Sequence, residues 1–521
     1  MPGHEPDKGR FAAIDVGSNG LRLRIIEATA PAPNETKPVW RELVNQRAPV
    51  RLGNEVYLTG RLPPTSIAQA CAALRTFREM MDDAKVDAYR ATATSAVREA
   101  KNGATLVERV RREAGLELEV IEGIEEARLI ELAVGRKVEL AERIALLVDV
   151  GGGSTELTVL DRGQHAFSVS LPIGTVRLIE TVLRDGAARK NDGQVRLLSE
   201  MIDRALVEAL PELSKAKVEL IIGTGGNVDT LAELCPLAGG AFGYARAVDV
   251  SAARALFAKL AKLSPAERRD DFGLRPDRAD TIVPATAIFL RLAEHFKMSA
   301  IVAPGVGLKE GILTELIDKH FHVWDEALEA QSVLQACARL GLRYQFDAAH
   351  GQLVSKLASQ LFDDLRAVHG FSERDKLLLR AAAILHDVGD FVRYDGHHKH
   401  SYYLILHSDL IGLTPEERAI VANIARYHRK SPPDPAHPNF RELDKVARGK
   451  VRGLAAILRI ADALDREHLG KVTGVRATLD KDKSRVLLAL SGDENRELEE
   501  WTVRAKAGLL RDVYDLEVTF A

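Results

Sequence analysis

Three apolar runs in the first 320 residues each end in a turn that contains glycine. They are FAAIDVGSNG at 11–20, IALLVDVGGGSTE at 144–156 and VELIIGTGGN at 218–227. Runs rich in β-branched residues and closed by glycine are typical of buried strands that end in a tight loop. In the first two runs, Asp-Val-Gly is followed by serine and then by further apolar strand, as in a β-hairpin with a wide turn. The repetition predicts a duplicated domain with a cleft between its two halves.

Helical stretches lie between these strands and dominate the chain after residue 320. Stretches at 66–86 and 191–213 alternate with the strands, which predicts an α/β fold for the first part. From about residue 326 to 470 the pattern is typical of consecutive amphipathic helices, and strand patterns return near the end. We therefore expect four domains: two α/β halves, an all-α domain and a small α+β piece, at 1–135, 136–320, 321–470 and 471–521.

The composition indicates several hydrophobic cores, and the net charge indicates no strong overall electrostatic field. The 521 residues are 46% hydrophobic and 28% charged, which is enough for roughly two to four globular domains. Because the net charge is only −3, a site for a polyanion has to gather its cations in one cleft, and we expect no nucleic-acid partner. Three cysteines without a CxxC pattern indicate a reducing compartment. With no apolar run of about 18 residues, we expect a cytoplasmic protein without a membrane partner.

The glycine turns and their flanking acids have the chemistry of a phosphate site. Glycines allow close approach and positive φ, so that successive N–H groups point into one anion-binding nest. A carboxylate repels phosphate unless a cation lies between them, so Asp15, Asp149 and Glu156 predict bound Mg²⁺ (or Mn²⁺). The chain lacks a GK[ST] loop and a helix-opening GxGxxG, which argues against P-loop and dinucleotide folds. The predicted phosphate-binding residues are Ser18, Asn19, Gly151, Gly152, Gly153, Ser154, Thr155, Gly225 and Asn227.

Two adjacent glutamates, Glu125 and Glu126, open an apparent helix and are candidates for the base that activates water. Residues one apart on a helix point about 100° away from each other, so only one of them is expected to face the cleft. From the residues alone, a helix-dipole partner on a solvated face stays an alternative for the pair. Arg98, a little upstream, has the planar fork that clamps phosphate, and a surface position on a helix is its alternative.

Seven motifs resemble those of the exopolyphosphatase and guanosine pentaphosphate phosphohydrolase family, in the same order and approximate spacing. They are DVGSN, ATATSAVREAKNG, EGIEEARLI, DVGGGSTE, LPIGTVRL, GTGGN and GVGLKEGIL, and they span about residues 11 to 320. The resemblance implies a duplicated actin-like fold of the ribonuclease H-like class, shared with sugar kinases and Hsp70, with the active site between the halves. It also implies Mg²⁺-dependent removal of a terminal phosphate by water, and a homodimer.

The same resemblance implies a role for each matching residue. Glu126 is the base that activates water, with Glu125 as the alternative. Asp149 and Glu156 serve the metal and the water. The substrate phosphate is held by the other matching residues, which are the backbone of Gly151 to Ser154, the side chain of Arg98, and Ser18 and Asn19 on the opposite loop.

The helical segment carries a second signal. His386 and Asp387 are adjacent, and His350 and Asp462 each share a helical stripe with leucines, so all four are expected to meet in the core. Two histidines and two carboxylates fit a divalent-metal site, while buried histidines with a purely structural role stay the alternative. The four also resemble the H…HD…D pattern of HD-domain phosphohydrolases, which implies an HD-type domain with a second divalent metal.

Two histidine-containing polar stretches follow in this segment. They are GHHKHS at 396–401 and RYHRK at 426–430. We expect them on a solvated surface, where they would add positive charge, with an inward position as the alternative for His428.

The combined prediction is an exopolyphosphatase that binds inorganic polyphosphate in the cleft between the actin-like halves. Arg22, Arg51, Arg98 and Arg177 are the candidates for neutralising the phosphate chain. The nearest alternative is the same chemistry on guanosine pentaphosphate, which the motifs do not separate. Two further alternatives are a module that senses polyphosphate or an alarmone without hydrolysis, and a nucleotide phosphohydrolase whose activity lies in the HD domain.

Overall fold

The computed structural model describes residues 8–31, 38–183, 192–321, 326–408, 410–480 and 484–521. The chain divides into two units, unit 1 (Met1–Trp324) and unit 2 (Asp325–Ala521). Within the described residues, no helix is long and apolar enough to cross a membrane.

The first sheet of unit 1 has five strands. They are β1 (Lys8–Gly17), β2 (Gly20–Thr29), β3 (Val39–Ala48), β4 (Ala88–Ala93) and β5 (Leu118–Val120). Their order is β3-β2-β1-β4-β5, in which β1, β2 and β3 form an antiparallel meander and β4 and β5 continue parallel to β1. The predicted hairpin is therefore present, but its turn is tight: Gly17 pairs with Gly20, and only two residues lie between them.

The second sheet repeats this plan and adds one strand. Its strands are β6 (Ile144–Val150), β7 (Thr155–Asp161), β8 (Gln164–Leu171), β9 (Leu220–Thr224), β10 (Ala247–Asp249) and β11 (Ala300–Val302). The order β10-β11-β9-β6-β7-β8 again joins an antiparallel meander, β6 to β8, to parallel strands, β9 and β11. The two mixed sheets share the same strand order, apart from the added edge strand β10. This duplication gives unit 1 an actin-like fold.

Helices connect and cover these strands. In the first half they are α1 (Val56–Thr59), α2 (Pro64–Asp83), α3 (Ser95–Glu99), α4 (Gly103–Ala114) and α5 (Gly123–Gly135). In the second half they are α6 (Thr175–Val182), α7 (Asp192–Leu213), α8 (Gly226–Leu234), α9 (Val250–Leu260), α10 (Pro265–Phe272), α11 (Pro276–His295) and α12 (Leu308–His320).

Each sheet is buried by helices on its faces. On one face of the first sheet, a core that includes Ile14 and Leu23 packs against α2 and α4. On the other face, Phe11 and Ile26 pack against α5 and α12. Helix α12, the last of unit 1, thus covers the first sheet although it follows the second sheet in the chain.

Unit 2 is a helical core joined by a small sheet. Its helices are α13 (Glu326–Arg343), α14 (Ala348–Asp364), α15 (Arg366–His369), α16 (Glu373–Leu385), α17 (His397–Leu406), α18 (Pro415–Arg426), α19 (Pro438–Arg441), α20 (Lys445–Ala463), α21 (Glu497–Lys506) and α22 (Gly508–Tyr514), with a 3-10 turn at Val388–Phe391. Helix α16 lies at the centre and packs against α13, α14, α18 and α20. The sheet has the order β12-β13-β14, with strands β12 (Val472–Leu479), β13 (Arg485–Gly492) and β14 (Glu517–Phe520). Its apolar side chains, including Val472 and Leu488, belong to the same core as the helices.

Candidate active site

Three buried carboxylates converge in unit 1. Glu126 lies in the first turn of α5, Asp149 on β6 and Glu156 on β7. One carboxylate oxygen of each lies within 4.8 Å of the others. Asp149 and Glu156 are direct cross-strand partners in the antiparallel pair of β6 and β7. Like charges placed opposite each other on a sheet repel, so the arrangement needs an added cation or proton.

The surroundings of these carboxylates strengthen that need. Burial, together with the charges of the other acids, raises the pKa of Glu156 to about 7 and that of Asp149 to about 6, and it raises the pKa of Glu126 well above its usual range. The Oε2 atoms of Glu126 and Glu156 are buried and have no hydrogen-bond partner among the described residues. Oxygen ligands with no other partner are what hard divalent cations prefer, so the three residues fit a divalent metal.

Hydroxyl groups on neighbouring strands orient two of the carboxylates. Thr224 Oγ1, at the end of β9, donates to Asp149 Oδ1 at 2.5 Å. Ser170 Oγ, on β8, donates to Glu156 Oε1 at 2.8 Å. Asp15 lines the same cavity and accepts from Arg22 Nη1 at 3.1 Å. Four adjacent strands of the second sheet, β9, β6, β7 and β8, thus hold the carboxylates of Asp149 and Glu156 in place.

The structure separates the roles of the two adjacent glutamates. Glu125 points away from the cluster and accepts from Arg128 Nε at 2.7 Å and from Arg90 Nη2 at 3.0 Å. Glu315 accepts from the same two arginines, each at 2.7 Å. Burial opposes ionisation of these acids, but the charges of Arg128 and Arg90 outweigh it and lower the pKa of Glu315 to about 2. Glu125 is therefore part of a buried ion-pair network, and Glu126 is the glutamate that faces the cleft.

The glycine turn between β6 and β7 differs from the predicted nest. None of Gly151, Gly152 and Gly153 has a positive φ. Instead, these positions lack room for a side chain: a Cβ on Gly153 would lie 1.8 Å from the hydroxyl of Tyr57, and one on Gly152 would lie 2.8 Å from Cβ of Ser18. The glycines therefore allow the turn to approach the first half of unit 1 closely, and positive φ is not the reason for them.

The side chains that follow this turn also differ from the prediction. Ser154 is buried, and Thr155 Oγ1 donates to the carbonyl of Ile173 at 2.5 Å. Gly151 and Gly152 line the cavity, whereas Gly153, Ser154 and Thr155 do not. Ser154 and Thr155 are thus engaged within the protein and are not positioned as phosphate donors.

Four other predicted phosphate ligands, Ser18, Asn19, Gly225 and Asn227, line the cavity. Ser18 and Asn19 occupy the β1–β2 turn, and the buried Oδ1 of Asn19 has no hydrogen-bond partner among the described residues. Gly225, with φ of +84°, precedes α8 and brings its backbone close to Asp149. Asn227 Oδ1 accepts from Thr281 Oγ1 at 3.0 Å.

Three of the predicted arginines are already paired and do not line the cavity. Arg98 Nη1 donates to the carbonyl of Ile121 at 2.6 Å. Arg51 pairs with Asp280 at 2.6 Å, and Arg177 pairs with Glu99 at 2.5 Å. Only Arg22 of the four candidates faces the cavity.

Other cations line this cavity, which has a volume of about 590 Å³. The sequence reasoning missed them; they are Arg24, Arg47, Arg275, Arg278 and Lys309. Burial, with Arg22 as the next cause, lowers the pKa of Arg278 to about 10. Burial likewise lowers the pKa of Lys309. Crowded cations of this kind favour a bound anion, because an anion relieves their mutual repulsion. Lys309 lies within the quoted GVGLKEGIL motif, which is the one signal that could have identified it.

A second buried cluster lies in unit 2. Ligand atoms of His350, His386 and Asp462 lie within 4.8 Å of one another, and Asp387 Oδ2 is 3.4 Å from His386 Nε2. The four predicted residues are thus brought together. His428, in the middle of one stretch expected on the surface, is buried, as is His397 in the other stretch. The expectation of a solvated surface is wrong for His397, whereas His428 takes the inward position that was its alternative, because each ring turns into the core of unit 2.

Comparison with known proteins identifies the family. The Ppx/GppA phosphatase family model matches residues 35–320, and the model for domain III of Ppx/GppA phosphatases matches residues 334–507. The chain belongs to the Ppx/GppA phosphatase family. A Ppx/GppA chain with this site is a hydrolase that acts on phosphoric anhydrides.

Individual Ppx/GppA relatives carry two different names. A guanosine-5'-triphosphate,3'-diphosphate pyrophosphatase of Vibrio campbellii is 26% identical over 81% of this chain and 80% of its own. The protein of the same name from Aeromonas hydrophila is 26% identical over 92% of both chains. An exopolyphosphatase structure from Cytophaga hutchinsonii is 27% identical, with a TM-score of 0.53, over 60% of this chain and 98% of that one. Family membership therefore leaves the substrate open.

Proposed function

We propose that this chain is an exopolyphosphatase that releases the terminal phosphate of inorganic polyphosphate with the help of Mg²⁺. The observation that carries the proposal is one cavity that joins carboxylates to a wall of cations. Asp149 and Glu126 line it together with Arg22, Arg278 and Lys309. A phosphate chain has a charge on every unit, so it needs several cations along its length and a metal at the bond that breaks.

The lining of the cavity supports an inorganic chain over a nucleotide. Among the described residues that line it, none has an aromatic ring, whereas six are arginine or lysine. A nucleobase is usually held by stacking on an aromatic ring, and a phosphate chain has no such requirement.

Glu126 is the proposed base. Burial and the neighbouring acids raise the pKa of Glu126, which makes its carboxylate a stronger base, and its Oε2 has no hydrogen-bond partner among the described residues. In the proposed step, the oxygen of water bonds to the terminal phosphorus and its proton passes to Glu126. The anhydride bond breaks, and its oxygen leaves on the shortened chain. Glu125 does not serve as the base, because its carboxylate is paired with Arg128 and Arg90.

The metal would be held by Asp149 and Glu156, with Asp15 at the edge of the cavity. When bound, Mg²⁺ neutralises charge on the phosphate oxygens and helps to position the water. Thr224 and Ser170 keep the two ligands oriented through their hydroxyl groups. Gly151, Gly152 and Gly225 line the cavity, and their backbone is the proposed holder of the terminal phosphate.

Hydrolysis of guanosine pentaphosphate is the second candidate, and a neighbouring cavity favours it. That cavity, of about 260 Å³, is lined by Trp40 and shares Arg24, Val306 and Glu310 with the first. Trp40 offers a ring on which a base could stack, although the guanidinium of Arg24 lies 4.9 Å from its centre. The names of the curated relatives point in the same direction.

For unit 2 we propose an HD-type domain with a divalent metal held by His350, His386, Asp387 and Asp462. The support is the convergence of these four side chains, of which His350, His386 and Asp462 are buried and Asp387 is partly exposed. The cytoplasmic location and the homodimer stay predictions.

The experiment is to measure phosphate release, with Mg²⁺, from long-chain polyphosphate and separately from guanosine pentaphosphate, for wild type and for Trp40→Ala. We expect faster release from polyphosphate and no change in that rate in Trp40→Ala. If guanosine pentaphosphate is the better substrate and Trp40→Ala raises its KM alone, the second candidate replaces the first. No release from either substrate would overturn both.

A further inference from the structure

Lys309 differs in its chemistry from the other cations that line the cavity of about 590 Å³ in unit 1. Those other cations are all arginines, and a guanidinium keeps its proton in proteins. A lysine amine can give up its proton, and the neutral amine is a nucleophile. Lys309 is therefore the only cationic side chain among the described lining residues that can form a covalent bond with a bound ligand.

The position of Lys309 favours the neutral amine. Lys309 is the second residue of α12, and the positive end of a helix dipole lies at this terminus. Burial lowers the pKa of Lys309. The charges of Arg22 and Arg24 act in the same direction, whereas those of Glu310 and Asp15 oppose it. A larger fraction of the amine is thus unprotonated near neutral pH than in an ordinary lysine.

The amine of Lys309 is held by one weak polar contact. Nζ donates to Asn45 Oδ1 at 3.5 Å, which is beyond the usual range of a hydrogen bond. No carboxylate of a described residue forms an ion pair with it. The adjacent Glu310 is engaged elsewhere, since it pairs with Arg24 and accepts from the backbone N–H of Gly307 at 2.8 Å. The lone pair of the neutral amine therefore has no partner within the described protein.

The amine lies beside a sheet face that presents arginines to the cavity. Arg22 and Arg24 are two apart on β2, so they share one face of the sheet. Their cross-strand partners on β3 are Arg47 and Asn45, respectively. All four residues line the cavity, and Lys309 contacts this face at Asn45. A phosphate group bound on the face would therefore lie next to the amine.

This face has a donor available for such a phosphate group. The buried Nε of Arg47 has no hydrogen-bond partner among the described residues. Its Nη2 donates to the carbonyl of Asn19 at 3.1 Å and its Nη1 pairs with Asp277 at 3.2 Å, which fixes the guanidinium in place. An anionic oxygen would satisfy the remaining N–H and relieve the repulsion among the arginines.

An acyl phosphate combines the two groups that this arrangement recognises. It is the mixed anhydride of a carboxylic acid and phosphoric acid, so its phosphate suits the arginines and its acyl carbon is an electrophile. Guanidinium groups that neutralise the phosphate also make it a better leaving group. A small acyl group is required, because the acyl carbon has to reach Nζ inside the cavity.

We propose that Lys309 is a site of covalent acylation by small acyl phosphates, and that this modification inactivates the chain. The neutral Nζ bonds to the acyl carbon, and the bond from that carbon to the bridging oxygen breaks. The electron pair of this bond leaves with inorganic phosphate. Nζ releases a proton to solvent, and an uncharged amide remains on the side chain.

Acylation removes a positive charge from the cavity and adds bulk beside Asn45. Phosphate release from polyphosphate should therefore fall as Lys309 is modified. This effect on activity rests on the proposed function, whereas the covalent modification itself does not.

The test incubates the full chain with excess acetyl phosphate and follows the acetylation of each lysine by mass spectrometry. Lys137 is the matched control, because it lines the neighbouring cavity but is exposed. We expect Lys309 to react at least about 10-fold faster than Lys137, since a bound phosphate holds the acyl group beside the amine. Inorganic tripolyphosphate should slow the reaction of Lys309 and leave that of Lys137 unchanged.

Acetic anhydride separates recruitment by phosphate from the reactivity of the amine alone. It carries the same acyl group without a phosphate, so its preference for Lys309 over Lys137 should be smaller than that of acetyl phosphate. An equal preference with both reagents would overturn the assignment to acyl phosphates. The proposal is also overturned if acetyl phosphate modifies Lys309 no faster than Lys137, or if tripolyphosphate does not protect Lys309.

Activity on polyphosphate with Mg²⁺ is then compared between treated and untreated samples of the same protein. Wild type should lose activity in proportion to the acetylation of Lys309. Lys309→Arg retains a cation that is not acylated, so treatment should leave its own starting activity unchanged. Full activity of wild type with Lys309 completely acetylated would contradict inactivation. If untreated wild type releases no phosphate, the proposed function fails, and the rates of acetylation still decide the modification.

Discussion

The carboxylate cluster of unit 1 and the histidine cluster of unit 2 both bury ligand groups that repel each other, but the ligands differ in their chemistry. In both, groups that repel each other are buried together: negative oxygens in Glu126, Asp149 and Glu156, and facing lone pairs in the histidines of unit 2. An all-oxygen set prefers a hard ion such as Mg²⁺, whereas imidazoles prefer softer transition metals. We infer from this difference that the two candidate metal sites are distinguished by their ligand chemistry before any assay.

The clusters also differ in their setting. The carboxylates lie at strand ends and turns that border a cavity lined with cations, so a large anion has access to them. The histidines lie at the ends of helices inside a core that includes α16, and all four are almost fully buried. Access for a phosphate chain therefore favours the first cluster as the site of anhydride hydrolysis.

The largest expected effect separates the adjacent glutamates. Glu126→Gln removes the proposed base and should lower the rate of phosphate release from polyphosphate by about 10²–10⁴-fold. Glu125→Gln is the matched control, because Glu125 is tied to Arg128 and Arg90 and does not face the cleft. It should reduce stability and change turnover little. Equal losses in the two variants would contradict the separation.

The ion pairs of Glu315 should stabilise the fold more as pH rises. A cluster of crowded acids has the opposite effect, because its repulsion grows as the acids ionise. Because the pKa of Glu315 is about 2 in the folded protein, below the ordinary value of 4.5, its ion pairs stabilise the fold above the ordinary pKa, and this stability is lost as pH falls towards 2. Glu315→Gln should therefore reduce the free energy of unfolding by about 3 kcal/mol at pH 7.

Denaturant titrations at several pH values measure this effect. The difference in the free energy of unfolding between variant and wild type should become smaller from pH 7 to pH 3. Glu119→Gln provides the control, since Glu119 pairs with the same Arg90 but is half exposed. Its loss should stay below about 1 kcal/mol. A gap for Glu315→Gln that is the same at every pH would show that the ion pairs are not its cause.

A smaller effect is expected from the cations that line the cavity. Arg278→Met removes a buried charge from the proposed path of the phosphate chain and should raise the KM for polyphosphate roughly 10- to 100-fold, with little change in kcat. The dependence of KM on salt should weaken as well. Arg51→Met is the control, because Arg51 is paired with Asp280 and does not line the cavity. A similar rise in KM in both variants would mean that a position in the cavity lining does not determine which cations bind the phosphate chain.

The features that could be predicted are those whose residues lie close together in the sequence. Asp149, the turn after it and Glu156 lie within eight residues, so their proximity follows from one hairpin. The repeat of that pattern in three runs also predicted the duplicated α/β plan, because strand and turn signals are local.

Contacts between distant segments could not be predicted in the same way. The role of Glu125 depends on Arg90 and Glu315, which other elements bring to it. Arg47 and Arg278 reach the cavity from β3 and α11, and neither lies in a quoted motif. The polar stretch that contains His397 resembled a surface, and only the packing of unit 2 buries that ring.

The central claim is that anhydride hydrolysis takes place at the carboxylate cluster and not at the histidine cluster. It is tested most directly by the initial rate of phosphate release from long-chain polyphosphate, with Mg²⁺, for the double variant His386→Ala/Asp387→Ala. We predict a rate close to that of wild type, because this variant leaves every residue around Glu126 unchanged. Loss of release in this folded double variant would contradict the claim and assign the chemistry to unit 2.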